Sequence, residues 1–199
     1  MDFKEIVNTR YATKAFDGKK IPEEKIDELI DYICLTPSAL NLQPWRIMVI
    51  SDQTLKDKLL PASFGQAHMC NCSHLLVLCA DSDVAARIEK VSASMTAGGV
   101  PTERIEGMMG MAKGRIAAME TADRLAWAKC QVYLMLANAV NAAKALGFDS
   151  CPMTGFDPDQ YATILDLPEN LVATALCPVG YGADTPVPKS RLDKDDLLI

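Results

Sequence analysis

Four basic residues stand in settings unlike a solvated surface. Arg10 and Lys14 flank Tyr11-Ala12-Thr13, and Lys189 and Arg191 lie in Pro188-Lys189-Ser190-Arg191-Leu192. Arginine offers a bidentate fork to a phosphate and lysine a point charge. With a formal net charge of −6, the chain has no basic excess to spread over a face, so these cations read as local anion contacts. As a set they have the chemistry of a phosphate pocket, each charge-assisted contact contributing about 1.5–3 kcal/mol. Each alone also reads as a solvated charge, and spacing alone does not bring the two ends of the chain together.

A second segment, Pro37-Ser38-Ala39-Leu40-Asn41-Leu42-Gln43-Pro44-Trp45, sets hydrogen-bonding side chains between two prolines. It reads as a plain helix-to-strand loop or as a rigid loop offering Ser38, Asn41 and Gln43 to a polar ligand. His68-x-Cys70-x-Cys72-x-His74 has the ligand types of a zinc site. On a strand, however, the outer pair lies about 20 Å apart. On a helix, His68 and Cys72 share one face while Cys70 and His74 share another. Only an irregular loop converges on one ion, so we expect no metal and assign the thiols to a core. Neither phosphate-cradling glycine motif is present, nor G-x-S-x-G, and two histidines leave few triad candidates.

The elements that must carry these residues follow from periodicity. Asp2-Phe3-Lys4-Glu5 reads as a capping box opening a short helix. Pro22 is expected at a first helical position, followed by Ile26, Leu29, Ile30 and Ile33 at helical spacing and a stop before Pro37. Arg46 to Ser51 is a strand, Gln53 to Leu60 a short helix, and Leu75 to Ala80 a strand apolar on both faces and hence central. The stretch from Asp81 to Met119 is helical but broken by Gly98-Gly99 and Pro101. Its Met108, Met109 and Met111 suit a loosely packed helix pair, a mobile cover over a site or a dimer contact. Asp123 to Leu146 is the longest helix, capped by Gly147 and apolar or small almost all round, which requires burial on most sides. Asp157-Pro158-Asp159-Gln160 caps another helix, and Leu171 to Gly180 is a strand. A proline-rich arm from Ala183 ends in the apolar Leu197-Leu198-Ile199. Strands and helices mix without strict alternation, so the expected class is α+β around one small sheet.

Composition narrows the partners. The acidic balance, with a pI near 4.9, argues against nucleic acid and anionic membrane surfaces. No apolar run approaches a membrane span. Seven cysteines, an odd count, suit reduced thiols and a cytoplasmic setting.

Several segments together resemble one family. Arg10-Tyr11-Ala12-Thr13-Lys14-Ala15-Phe16 is similar to the R-x-S-x-[KR]-x-F start of the FMN-dependent nitroreductases, and Pro37 to Trp45 resembles their P-S-x-x-N-x-Q-P-W loop. Ser73-His74 resembles their A-S-H before a core strand, and Pro152-Met153-Thr154-Gly155-Phe156 their P-[IM]-x-G-F turn. Pro178-Val179-Gly180-Tyr181 and Pro188-Lys189-Ser190-Arg191 match the closing elements. All fall in family order across nearly the whole chain.

The resemblance implies a nitroreductase-type fold with a small central, mostly antiparallel sheet flanked by helices. It implies one domain over residues 1–199, paired as an intertwined homodimer. Residues 95–120 would be a mobile helical cover and residues 183–199 an arm onto the partner. FMN would be held by Arg10, Tyr11, Ala12 and Lys14, by Lys189 and Arg191, and by Met153, Thr154 and Gly155. Pro37, Ser38, Ala39 and Asn41 would approach from the other subunit, and Gly65, Gln66 and His68 would touch the ribityl chain or ring. NADH or NADPH would pass a hydride through FMN to a nitroaromatic, quinone or similar electrophile in ping-pong order. No catalytic side chain is required, because the flavin carries the chemistry. The alternatives are another branch of the family (dehalogenation, enal or semialdehyde reduction, flavin breakdown) or a flavin-binding protein without catalysis. Ala12 and Ala39 stand where the family has hydroxyls, and Thr154 where one branch has glutamate.

Overall fold

The computed structural model describes residues 1–199. Strands β1 (Trp45–Ile50), β2 (His74–Asp81), β3 (Asp149–Ser150) and β4 (Leu171–Gly180) form one sheet in the order β1-β2-β4-β3. Every strand pairing is antiparallel. The helices are α1 (Phe3–Thr9), α2 (Glu23–Cys34), α3 (Gln53–Leu59), α4 (His68–Asn71), α5 (Val84–Ala97), α6 (Thr102–Ala117), α7 (Thr121–Ala145) and α8 (Pro158–Ile164). The class is α+β, as expected.

β2 is the axis of the fold, and all of its residues are buried. Its alternation divides the core in two. Leu76, Leu78 and Ala80 pack with Leu29 and Ile33 of α2 and Val132, Met135 and Ala139 of α7. Leu75, Val77 and Cys79 face the opposite side, with Leu59 of α3 and Tyr161 of α8. Burial on both faces explains why the strand reads as a continuous apolar run.

Ser73 and His74 anchor the start of this strand. Ser73 Oγ accepts the Ile21 N–H at 2.7 Å, which leaves its own proton for His74 Nδ1 at 2.9 Å. His74 Nε2 therefore carries the hydrogen and donates to Glu23 at 3.2 Å. Burial lowers the pKa of this histidine, in keeping with a neutral ring.

The caps obey local chemistry. Asp2 accepts the Glu5 N–H, Asp157 accepts those of Asp159 and Gln160, and Gly147 ends α7 with φ of 87°. Pro22 departs from expectation: it is extended, with ψ of 141°, and precedes the first helical residue. Helix α7 departs further. Ala128, Val132, Met135, Ala139 and Ala143 are buried, but Cys130, Tyr133 and Leu134 on its other side are exposed. One chain covers only one face of this helix, so burial on most sides is not achieved within it.

Helices α5 and α6 form a pair joined at Gly98–Pro101. Val84, Ile88 and Val91 meet Ile105, Met109, Ala112 and Ile116 in a small separate core. All seven cysteines are free. Burial pushes the Cys72 and Cys79 thiols up to about 11, so they pack as small hydrophobes. No helix is long and apolar enough to cross a membrane.

Candidate active site

Arg10, Tyr11 and Ala12 meet Lys189, Ser190 and Arg191 around one cavity of about 470 Å³, with Pro152, Val187 and Pro188 completing its wall. The two ends of the chain therefore converge. Lys189 Nζ donates to the Arg10 carbonyl. Desolvation, with repulsion from Arg10, Arg191 and Lys144, lowers the Lys189 pKa. Unmatched positive charge gathered at one cavity fits an anion.

Two departures from regular backbone hold the walls. Helix α1 ends at Thr9, and Arg10 is extended with ψ of 134°. The following residues run along β3, where Ala12 bridges Ser150 and the Thr13 N–H donates to the Ser150 carbonyl. After β4 the chain returns beside this segment, with the Ala183 N–H donating to the Ala15 carbonyl at 2.8 Å. Lys14 then points toward the turn before α8, its Nζ 3.1 Å from Cys151 Sγ.

His68 stands next to this group. It is buried, and its Nε2 has no hydrogen-bond partner. Burial lowers its pKa, aided by the nearby Lys14 charge and opposed by Asp184. A buried ring nitrogen left unsatisfied costs about 1–3 kcal/mol unless something outside the chain meets it. Gln66 Nε2 donates to the Gly155 carbonyl at 2.7 Å, which fixes the turn against the loop before α4. The Thr154 and Gly155 N–H groups serve no internal hydrogen bond. Gly65, at φ of 71°, supplies the left-handed turn that brings Gln66 and His68 here.

The zinc alternative has no geometric support. His68 faces the Lys14 side, His74 is occupied by Ser73 and Glu23, and no three His, Cys, Asp or Glu side chains converge on one point.

The Pro37–Pro44 loop lies apart: none of its hydrogen bonds reaches the cation pocket. Leu40, Asn41 and Gln43 adopt φ of 55°, 53° and 46°. Three left-handed non-glycine residues within four positions are strained and persist only where neighbours hold them. Gln131 of α7 accepts the Ala39 N–H at 2.9 Å, and Ser38 Oγ accepts the Gln43 N–H at 2.9 Å. Ser38 thus braces the loop from inside. Pro37, Ser38, Ala39 and Asn41 are ordered at the surface of one chain but do not join Arg10 and Arg191 within it.

Sequence reasoning did not single out Asp184, which accepts hydrogen bonds from Tyr11, Thr13 and the Lys14 N–H. It also passed over Gln131. Neither has a local pattern: each matters through a partner distant in sequence.

A family model described as the nitroreductase family matches residues 7–181. A Thermus thermophilus protein named NADH dehydrogenase is 35% identical over 200 residues, spanning 100% of this chain and 96% of that protein. A provisionally named NAD(P)H:FMN oxidoreductase from Staphylococcus epidermidis has the same fold, with a TM-score of 0.93, 27% identity and coverage of 100% and 95% of the two chains. A provisionally named nitroreductase from Exiguobacterium sibiricum, solved in complex with FMN, gives a TM-score of 0.92 at 24% identity, over 100% and 97%. The fold, the span of the family match and these relatives agree: the chain belongs to the nitroreductase family.

Proposed function

We propose that this protein is an FMN-dependent NAD(P)H oxidoreductase acting on nitroaromatics, quinones or similar electrophiles as a homodimer. The observation that carries the reading is the cavity between Arg10 and Arg191, with the unpartnered His68 Nε2 close to the adjoining Lys14. FMN has a phosphate for the cations, hydroxyls for polar groups along the way, and a ring whose edge takes backbone hydrogen bonds. The residues present fit it.

Arg10, Lys189 and Arg191 hold the phosphate, with Lys14 adding positive charge on the His68 side. His68, neutral through burial, meets a polar atom of the cofactor. The free N–H groups of Thr154 and Gly155 would hydrogen-bond the ring and tune its reduction. Bound there, FMN supplies two-electron hydride chemistry between NAD(P)H and the acceptor. The chain needs no acid–base side chain of its own. Donor and acceptor would bind in turn, in ping-pong order.

The dimer is supported by surfaces that one chain leaves uncovered. Tyr133 and Leu134 on α7 are each 48% exposed, and the arm over residues 183–199 ends in the exposed Leu197, Leu198 and Ile199. A second copy covers the helix, receives the arm, and brings its Ser38 and Asn41 to the flavin. Residues 95–120, packed through Ile105, Met109 and Ile116 on Val84, Ile88 and Val91 in a core separate from the sheet, serve as the cover over the acceptor side.

The test is the visible spectrum of the purified protein and of its supernatant after denaturation. A flavin spectrum released as FMN at about one per chain, with NADH- or NADPH-dependent reduction of a nitroaromatic or quinone, is the expected result. A colourless protein that also fails to take up added FMN overturns the reading.

A further inference from the structure

Arg10 lies on one chain segment and Lys189 and Arg191 on another, their charges repel at Lys189, and something must hold the two segments together. Beyond the backbone contacts of residues 181–183 and the Lys189–Arg10 contact, the side-chain tether is concentrated on one carboxylate. Asp184 Oδ1 accepts from the Tyr11 hydroxyl at 3.1 Å and from the Thr13 hydroxyl. Its Oδ2 accepts the Lys14 N–H at 2.7 Å. Thr13 is fully buried, and Asp184 is only partly exposed. The three donors belong to the segment between Arg10 and Lys14, while Asp184 lies just upstream of Lys189 and Arg191. Asp184 does not itself line the cavity, so its charge is turned toward the tether rather than the ligand.

We propose that Asp184 is a positioning residue of the phosphate site, its carboxylate holding the Arg10–Lys14 segment in register with Lys189 and Arg191. The inference rests on the FMN reading above. A carboxylate suits the task better than a neutral acceptor. It takes two donors on one oxygen and one on the other, each a charge-assisted contact. Gly182 is part of the same device. A Cβ there would lie 2.5 Å from the Tyr11 hydroxyl and 2.8 Å from Asp149 Oδ2, so only glycine lets Tyr11 reach Asp184. Asp149, held by Lys144 at 3.0 Å, accepts the Gly182 N–H and steadies the approach from the other side.

The test compares FMN with riboflavin, which lacks the phosphate, on the wild-type protein and on Asp184→Ala and Asp184→Asn. Binding is followed by quenching of flavin fluorescence. The expected result is a rise in the FMN dissociation constant of about tenfold or more in Asp184→Ala, with riboflavin affinity within about twofold of wild type. Asp184→Asn keeps one acceptor oxygen but sets an amide against the Lys14 N–H, and should fall between. Should Asp184→Ala not fold, Asp184→Asn and Tyr11→Phe carry the same comparison. Unchanged FMN affinity, or equal losses for FMN and riboflavin, overturns the assignment. A wild-type protein that binds no FMN overturns the cofactor reading instead.

Discussion

Lys189 donates its ammonium hydrogen to the backbone carbonyl of Arg10, across 179 residues of chain. The contact closes the cation pocket from within. It also sets two positive groups beside each other, an arrangement that favours an anion over water.

Arg191→Ala should weaken FMN binding by about tenfold or more, the loss of one charge-assisted contact. The apoprotein's thermal midpoint should stay close to wild type, since Arg191 is exposed and its guanidinium donates only to the neighbouring Ser190 carbonyl. Fluorescence titration with FMN checks the first statement and thermal unfolding of the apoprotein the second. Unchanged affinity would remove Arg191 from the phosphate site.

Lys189 gives a pH dependence with a definite sign. Desolvation and its cationic neighbours lower its pKa in the free protein. A bound phosphate favours the charged form and raises that pKa again. FMN affinity is then full while Lys189 is protonated and falls as the pH rises through its lowered value. A titration from neutral to about pH 10 should show this decline beginning earlier than an ordinary lysine allows, and Lys189→Arg should remove it.

His68→Phe should separate stability from binding. The change removes an unsatisfied buried nitrogen, so the apoprotein should be as stable as wild type or more so, by up to about 1–3 kcal/mol. FMN affinity should fall, because the cofactor loses its polar partner. Denaturant unfolding and FMN titration on the same preparation decide it. A loss of apoprotein stability would show that His68 serves the core alone.

Tyr133→Glu together with Leu134→Asp should split the proposed dimer. Each side chain lies on the open face of α7, and two buried charges at an apolar contact cost several kcal/mol. Sedimentation would follow the assembly state and absorbance the bound flavin. Loss of both together is expected if Ser38 and Asn41 of the second copy complete the site. Monomers that keep FMN would confine the site to one chain.

Legibility in the sequence followed the range of the interaction. The central place of β2, the caps at Asp2 and Asp157 and the stop at Gly147 were all readable, because each depends on neighbours within a few residues. The sequence distinguished α7 as apolar all round but not which side faces the sheet, since alanine and leucine stand on both. The motifs marked Arg10 and Arg191, yet nothing in their spacing brings them to one cavity. Asp184 was invisible: aspartates are common in this chain, and only the Tyr11, Thr13 and Lys14 donors distinguish this one. The left-handed backbone at Leu40, Asn41 and Gln43 was hidden as well, because no glycine marks it and Gln131, which holds Ala39, lies far along the chain.

The Lys189–Arg10 contact joins segments 179 positions apart. Neither segment alone has the cations of the pocket, so no isolated fragment of the chain can offer the anion the same site. The two segments are held by the sheet and by the core that α2 and α7 pack against it. A ligand bound there draws on both segments at once, so its binding energy adds to the stability of the whole fold rather than of one element.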